Sequence, residues 1–274
     1  MHQVLCSTGA LLGRPNNRDF TLLESLSKQL DCDGYELMVY ESWYPRLDEL
    51  VACLQKLSLN IPVVHCDKNV GTLLSVNAEE NLAQAHDHFV KNCRVAKEVS
   101  ADRMVLHLWG GLASDRCIEG NLGVYPLLRD TAASFGLDLL VENVVCNQQD
   151  PMTHLCELHR RHPHVGLTYD TKMAAFHSQV EQLFDPAYHW LWKDGCIRHY
   201  HLNDYRGGHM DWANLNTAPI GEGKVPFRQV FEHILASGYA GDFTCEVTAF
   251  DKTGAVDTDM LNRQFRLIRE GLGL

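Results

Sequence analysis

LDLLVEN (137–143), VGLTYD (165–170), CIRHYHLND (196–204) and DFTCEV (242–247) share one pattern: a short apolar or β-branched run closing on a side chain that can bind a metal. The four closing groups are Glu142, Asp170, His201 and Glu246, spaced at nearly regular intervals. A lone carboxylate seldom ends a run of Leu and Val, because burying it unpaired costs several kcal/mol or more. Four such groups point to one shared cation.

Similar runs recur along the whole chain. Strands are expected at 3–8, 34–40, 61–66 and 102–107, then at 137–143, 165–170, 197–203 and 242–248. Helices are expected between them at about 19–31, 45–58, 78–98, 122–136, 151–162, 174–183, 226–237 and 256–271. In 78–98, Leu82, Ala85, Phe89, Cys93 and Ala96 repeat at three- and four-residue steps, the stripe a helix needs to pack on a sheet. Eight β/α units in 274 residues predict an α/β fold, a single-domain (β/α)8 TIM barrel spanning 1–274. An open doubly wound sheet is disfavoured because STGALLGRP after the first strand does not fit G-x-G-x-x-G. A barrel of this kind builds its site at the carboxyl ends of its strands, where all four groups fall. The long 204–224 loop, with its four glycines, is positioned to cover that mouth.

Composition narrows the function classes. Thirty-five acidic against 24 basic residues give a formal charge of −11, and without a Lys/Arg cluster this argues against nucleic acid as a partner. The ten cysteines are scattered, with no C-x-x-C, and read as reduced and mostly buried. The amino terminus lacks the pattern of a signal peptide and no apolar run is long enough to span a membrane, so the expected compartment is the cytoplasm.

Each candidate also has a plainer explanation. Glu142 and Glu246 could be neutralised by neighbouring residues. Asp170, followed by Thr171 and Lys172, is a good helix N-cap. His199 and His201 face the same side of one strand, so His201 reaches the mouth while His199 sits one layer down. Three carboxylates and an imidazole form a hard, oxygen-rich site suited to one divalent ion, with Mn2+, Mg2+ or Co2+ favoured and Zn2+ also admitted. Such an ion, chelating adjacent hydroxyl and carbonyl oxygens, fits isomerase or epimerase chemistry.

VEN (141–143), HLND (201–204), IGEG (220–223) and GYAGDFTCEV (238–247), set in the eight-unit pattern, resemble the xylose isomerase-like barrel superfamily, particularly its sugar phosphate isomerase/epimerase and ketose 3-epimerase branches. The resemblance implies a metal held by Glu142, Asp170, His201 and Glu246. It implies that Glu142 and Glu246 are also the acid–base pair on opposite faces of a sugar or sugar phosphate, with proton transfer through an enediolate stabilised by the cation. Many members carry a His three residues after the Asp; here Met173 stands there, with His177 four residues further on. The superfamily also contains endonuclease IV, a three-zinc enzyme that cleaves DNA at abasic sites, and His65 and His107 match two of its ligands. Its Asp-x-His pair is missing from NLNTAP (214–219), so a metal-dependent phosphodiesterase is the alternative, beside a non-catalytic small-molecule-binding barrel. His65 and His107 are then expected in substrate binding or a partial second metal site. Trp109 is expected as a wall of a sugar pocket, and Arg206 as a contact for a substrate hydroxyl or phosphate. The choice of isomerase, epimerase or dehydratase and the identity of the sugar stay open, as does assembly into a homo-oligomer, for which a dimer is the common default.

Overall fold

In the computed structural model, which describes residues 2–274, eight parallel strands close into a barrel in sequence order. They are β1 (Val4–Ser7), β2 (Gly34–Met38), β3 (Val63–His65), β4 (Arg103–Leu106), β5 (Asp138–Glu142), β6 (Gly166–Asp170), β7 (Ile197–Leu202) and β8 (Asp242–Cys245). Each lies within the span expected from sequence. Closure is made by β1 against β8, with Val4 opposite Phe243 and Cys6 opposite Cys245.

Because side chains alternate across a strand, each strand serves two environments. One face joins the main core with the surrounding helices: Leu37, Val64, Met104, Leu139, Tyr200 and Phe243 are buried there. The other face fills the barrel. Leu5, Val63 and Val105 form a small apolar cluster of their own inside it. One step along each strand toward the carboxyl end the interior turns polar, with Ser7, His65 and His107 above them. Polarity therefore rises along the barrel axis toward the mouth.

The helices are α1 (Leu23–Leu26), α2 (Leu47–Leu57), α3 (Asn69–Val76), α4 (Glu79–Glu98), α5 (Ile118–Ser134), α6 (Pro151–Arg161), α7 (Thr171–Phe176), α8 (Trp190–Lys193), α9 (Phe227–Ser237) and α10 (Thr258–Leu272). Three expectations need correction. The helix expected over 19–31 is a single α turn between 3-10 turns at Phe20–Leu22 and Ser27–Gln29, the first capped by Asp19. The helix expected at 174–183 starts earlier, at Thr171, because Asp170 caps it; it stops after Phe176, where Ser178 takes a left-handed φ of 55°. The helix expected from 122 begins at Ile118 and carries Pro126 in its interior.

α3 was not anticipated, since most of its residues are buried and it has no polar stripe: Val70, Gly71, Leu73, Leu74 and Ser75 are all buried. Gly71 packs on the backbone of the β4 loop. A methyl group there would overlap the His107 carbonyl oxygen and sit 3.0 Å from that of Trp109. Among the described residues, no helix is long and apolar enough to cross a membrane. All ten cysteines are free. Gly71→Ala should lower the unfolding free energy by about 1–3 kcal/mol, since backbone cannot yield as a side chain does. Denaturant titration measures this, and an unchanged midpoint would mean the β4 loop yields freely.

Candidate active site

β5, β6, β7 and the residue after β8 bring Glu142, Asp170, His201 and Glu246 together, with one ligand-capable atom from each lying within 4.8 Å of all the others. His201 Nδ1 is the centre of the group. It lies 3.7 Å from Glu142 Oε1, 3.9 Å from Asp170 Oδ2 and 3.5 Å from Glu246 Oε2. Neither His201 Nδ1 nor Glu142 Oε1 has a hydrogen-bond partner among the described residues, although both are buried.

The tautomer of His201 follows from its other nitrogen. Nε2 lies 3.0–3.1 Å from the oxygens of Glu36, a buried carboxylate on β2 that also contacts His199 Nε2 at 2.9 Å and accepts from Thr244 Oγ1 at 2.7 Å. With Nε2–H donating to Glu36, the Nδ1 lone pair points at three carboxylate oxygens. Lone pairs and anions repel, so the arrangement calls for a proton or a cation between them. Donors about 2.1 Å from a small divalent ion stand about 3.0–3.4 Å apart, so modest contraction of the observed spacing suffices. The residues fit such an ion.

The electrostatics agree. Burial pushes the Glu142 carboxyl up, but His107 and His201 outweigh it and hold it well below the usual range. Burial likewise opposes the charged form of His201, yet Glu246, Glu36 and Glu142 raise its pKa well above the ordinary value. Asp170 is pushed up to about 6, first by burial, with Glu142 and Glu246 adding to it and Lys172 opposing. Without a cation, this cluster competes for protons.

The surrounding motif residues hold these ligands in place. Asn143, in VEN, accepts the Asp170 N–H at 2.6 Å and donates to the Asp170 carbonyl at 3.0 Å. Asn203, in HLND, donates to Asp170 Oδ2 at 3.1 Å, while Asp170 Oδ1 accepts the Met173 N–H at 2.8 Å. Asp170 is therefore a helix cap through one oxygen and faces the cluster through the other. Ser7 Oγ donates to Glu246 Oε1 at 3.4 Å. Asp204 ties the 204–224 loop to the mouth: it accepts backbone N–H groups of Tyr205, Gly221, Gly223 and Val225 at 2.8–3.0 Å. Held this way, the loop brings Leu215, Asn216 and Thr217 over a cavity of ≈ 270 Å3 whose wall also contains Glu246.

His65 and His107 both approach the second oxygen of Glu142, Oε2, at 3.2 and 2.8 Å. His65 Nδ1 lies 2.8 Å from the Cys66 carbonyl and must carry a proton, so its Nε2 also needs a proton or cation to face a carboxylate. Glu142, His65 and His107 form a second group able to hold an ion, joined to the first through Glu142. Burial pushes the His107 imidazole down to about 4 against the pull of Glu142.

Three sequence-derived candidates lie elsewhere. Trp109 is fully buried, packs edge-on against His154 and donates its indole N–H to the Val144 carbonyl, so it is a core residue and not a pocket wall. Arg206 is exposed and bonded to Glu222 within the covering loop, away from the cavity lining. His177 accepts the Cys146 N–H at 3.0 Å and does not replace the imidazole missing at Met173. Glu36, Lys68 and Lys172 were missed; Glu36 was legible as a lone acid in GYELMVY, but it stands mid-strand rather than at a strand end.

No curated protein matches the sequence. Several solved structures match the fold. A D-tagatose 3-epimerase-like protein superposes with a TM-score of 0.72 at 18% identity, covering 99% of this chain and 97% of its own. 3-Keto-D-glucoside 4-epimerase from E. coli gives 0.68 at 15%, covering 98% and 100%. D-allulose 3-epimerase from Methylomonas sp., in complex with D-allulose, gives 0.67 at 15%, covering 98% and 96%. The profile of the xylose isomerase-like TIM barrel family matches residues 25–269, and the chain belongs to that family.

Proposed function

We propose that the protein is a divalent-metal-dependent isomerase or epimerase of a sugar or sugar phosphate. The observation that carries this reading is the unpartnered His201 Nδ1, buried and facing oxygens of Glu142, Asp170 and Glu246. Those four residues would hold the ion, which when bound would polarise adjacent hydroxyl and carbonyl oxygens of the substrate. The ligand set favours Mn2+, Mg2+ or Co2+, with Zn2+ admitted.

The protein's own groups then handle the proton. Glu246 lines the cavity, and with Oε2 toward His201 its Oε1, steadied by Ser7, is the oxygen suited to remove hydrogen from the carbon beside the carbonyl. Glu142 serves the opposite face, and its Oε2 meets His65 and His107, which hold the carboxylate in place. Return of the proton from the other face inverts the carbon, whereas return to the neighbouring carbon isomerises the sugar. Asn216 and Thr217 close the cavity from above and help exclude water.

The phosphodiesterase reading draws support from His65 and His107 beside Glu142, but Met173 and NLNTAP supply no ligands for a further ion and the charge of −11 opposes a polyanion. We place it second.

Elemental analysis of the purified protein should find about one divalent ion per chain. Asp170→Asn removes a charged ligand but keeps an oxygen for the cap, and metal affinity measured by calorimetry should fall by more than about 100-fold. Glu36→Gln, which replaces the carboxylate facing His201 Nε2 by an amide, should lower it by about 10- to 100-fold. Unchanged affinity in Asp170→Asn would reduce Asp170 to a cap.

With a panel of ketoses and sugar phosphates, solvent deuterium should wash in at the carbon beside the carbonyl. Glu246→Gln should cut that exchange by about 10²- to 10⁴-fold while metal occupancy changes far less. Turnover without any exchange would indicate hydride transfer and overturn the acid–base roles.

A further inference from the structure

The cavity at the mouth is lined by groups of both charges. Glu246, of the carboxylate cluster, contributes to it. So do Lys68, at the amino end of α3, and Lys172, two residues beyond Asp170. Lys172 is 91% buried, with a relative exposure of 9%, and its ammonium has no hydrogen-bond or ion-pair partner among the described residues. Lys68 is exposed at the rim and is likewise unpaired: no carboxylate lies within 4.0 Å of either ammonium. Crowding works against its charge, but Glu246, Glu142, Asp170 and Glu36 raise its pKa and keep it cationic.

A lysine enclosed to this degree keeps its ammonium at a cost unless water or an anion meets it. If these lysines served only to neutralise the carboxylates, they would close on them. Instead they stand off, with ≈ 270 Å3 of open space in the cavity they line. Counting charges sharpens the point. With a divalent ion bound, the four carboxylates Glu36, Glu142, Asp170 and Glu246 would keep two negative charges that repel an anion, and Lys68 and Lys172, both lining the cavity, cancel them. A neutral sugar needs no such pair; an acidic one does, in a protein whose overall charge of −11 otherwise repels it.

We infer that the substrate carries a negatively charged group, a carboxylate or a phosphate, which Lys172 and Lys68 hold while the sugar oxygens face the carboxylate–histidine cluster. This rests on the isomerase/epimerase reading and narrows its substrate class to acidic sugars.

Titration calorimetry on Mn2+-loaded protein with D-fructose, D-fructose 6-phosphate and D-fructuronate tests it, since the three share a ketose frame and differ at one end. At least one anionic ligand should bind about 10- to 100-fold more tightly than fructose, and the tighter of the two identifies phosphate or carboxylate. Lys172→Gln should bring the anionic-to-neutral ratio close to one, and Lys172→Arg should restore part of it. Each ratio is taken within one protein, so a general loss of stability does not imitate the result.

Equal binding of all three by the parent overturns the inference, as does binding of none. A Lys172→Gln variant that weakens fructose as much as its acids also overturns it, since the lysine would then act on a hydroxyl or carbonyl oxygen. Anion preference that collapses in Lys172→Gln while no ligand exchanges solvent deuterium would keep the anion site and remove the isomerase reading. Exchange of fructose without anion preference would do the reverse.

Discussion

Four carboxylates packed inside one barrel set the terms for the rest of this structure. Glu36, Glu142, Asp170 and Glu246 are all buried or nearly so, and each would repel the others by several kcal/mol at the effective dielectric of a protein interior. The barrel answers with imidazoles: His199 and His201 on Glu36, His65 and His107 on Glu142. That answer is incomplete, because His201 Nδ1 and Glu142 Oε1 stay unpaired and Asp170 is pushed up to about 6. A divalent ion held by these residues would complete it, since one particle could face all of them.

The same constraint explains why the polar residues concentrate at one end. The floor of Leu5, Val63 and Val105 and the apolar layer between sheet and helices supply the burial that holds the fold together. The mouth spends some of that stability on like charges held close. Its order is kept by hydrogen bonds: Asn143 to the Asp170 backbone, Asp204 to backbone N–H groups of the covering loop, and the Ser7 hydroxyl to the Glu246 carboxylate. These partners are uncharged or sit outside the cluster, so they orient the ligands without adding to the repulsion.

How much of this was legible depended on whether the signal was local. Strand positions and barrel closure followed from short apolar runs at regular spacing, and the four residues that meet at the mouth stood out because each ended such a run. Glu36 obeys the same alternation but lies mid-strand, two residues from the end of β2, and its role appears only when β2 and β7 face each other across the interior. Lys172 was hidden for a different reason. After Asp170 and Thr171 it reads as an ordinary first-turn residue, and only the cavity shows that its ammonium has no partner. Trp109 and Arg206 misled because residue type suggested recognition, whereas their neighbours, the Val144 carbonyl and Glu222, decide otherwise. The short α1 and early α7 turned on caps, Asp19 and Asp170, whose competing roles the chain alone leaves open.

Glu142 shows how far one side chain can be shared. One oxygen faces the His201 group; the other receives His65 and His107, so the residue belongs to two clusters at once. A group so placed cannot change its protonation without disturbing both, so a proton it takes or gives is coupled to the two clusters. Glu246 also borders a second group, with Glu36 and His65, but its Oε1 accepts from the Ser7 hydroxyl rather than from an imidazole, and its side chain lines the cavity. The two glutamates that look alike in sequence, each a lone acid closing a strand, are therefore unequal in the folded chain. What separates them is which oxygens the neighbouring strands have already claimed: imidazoles on Glu142 Oε2, a hydroxyl on Glu246 Oε1.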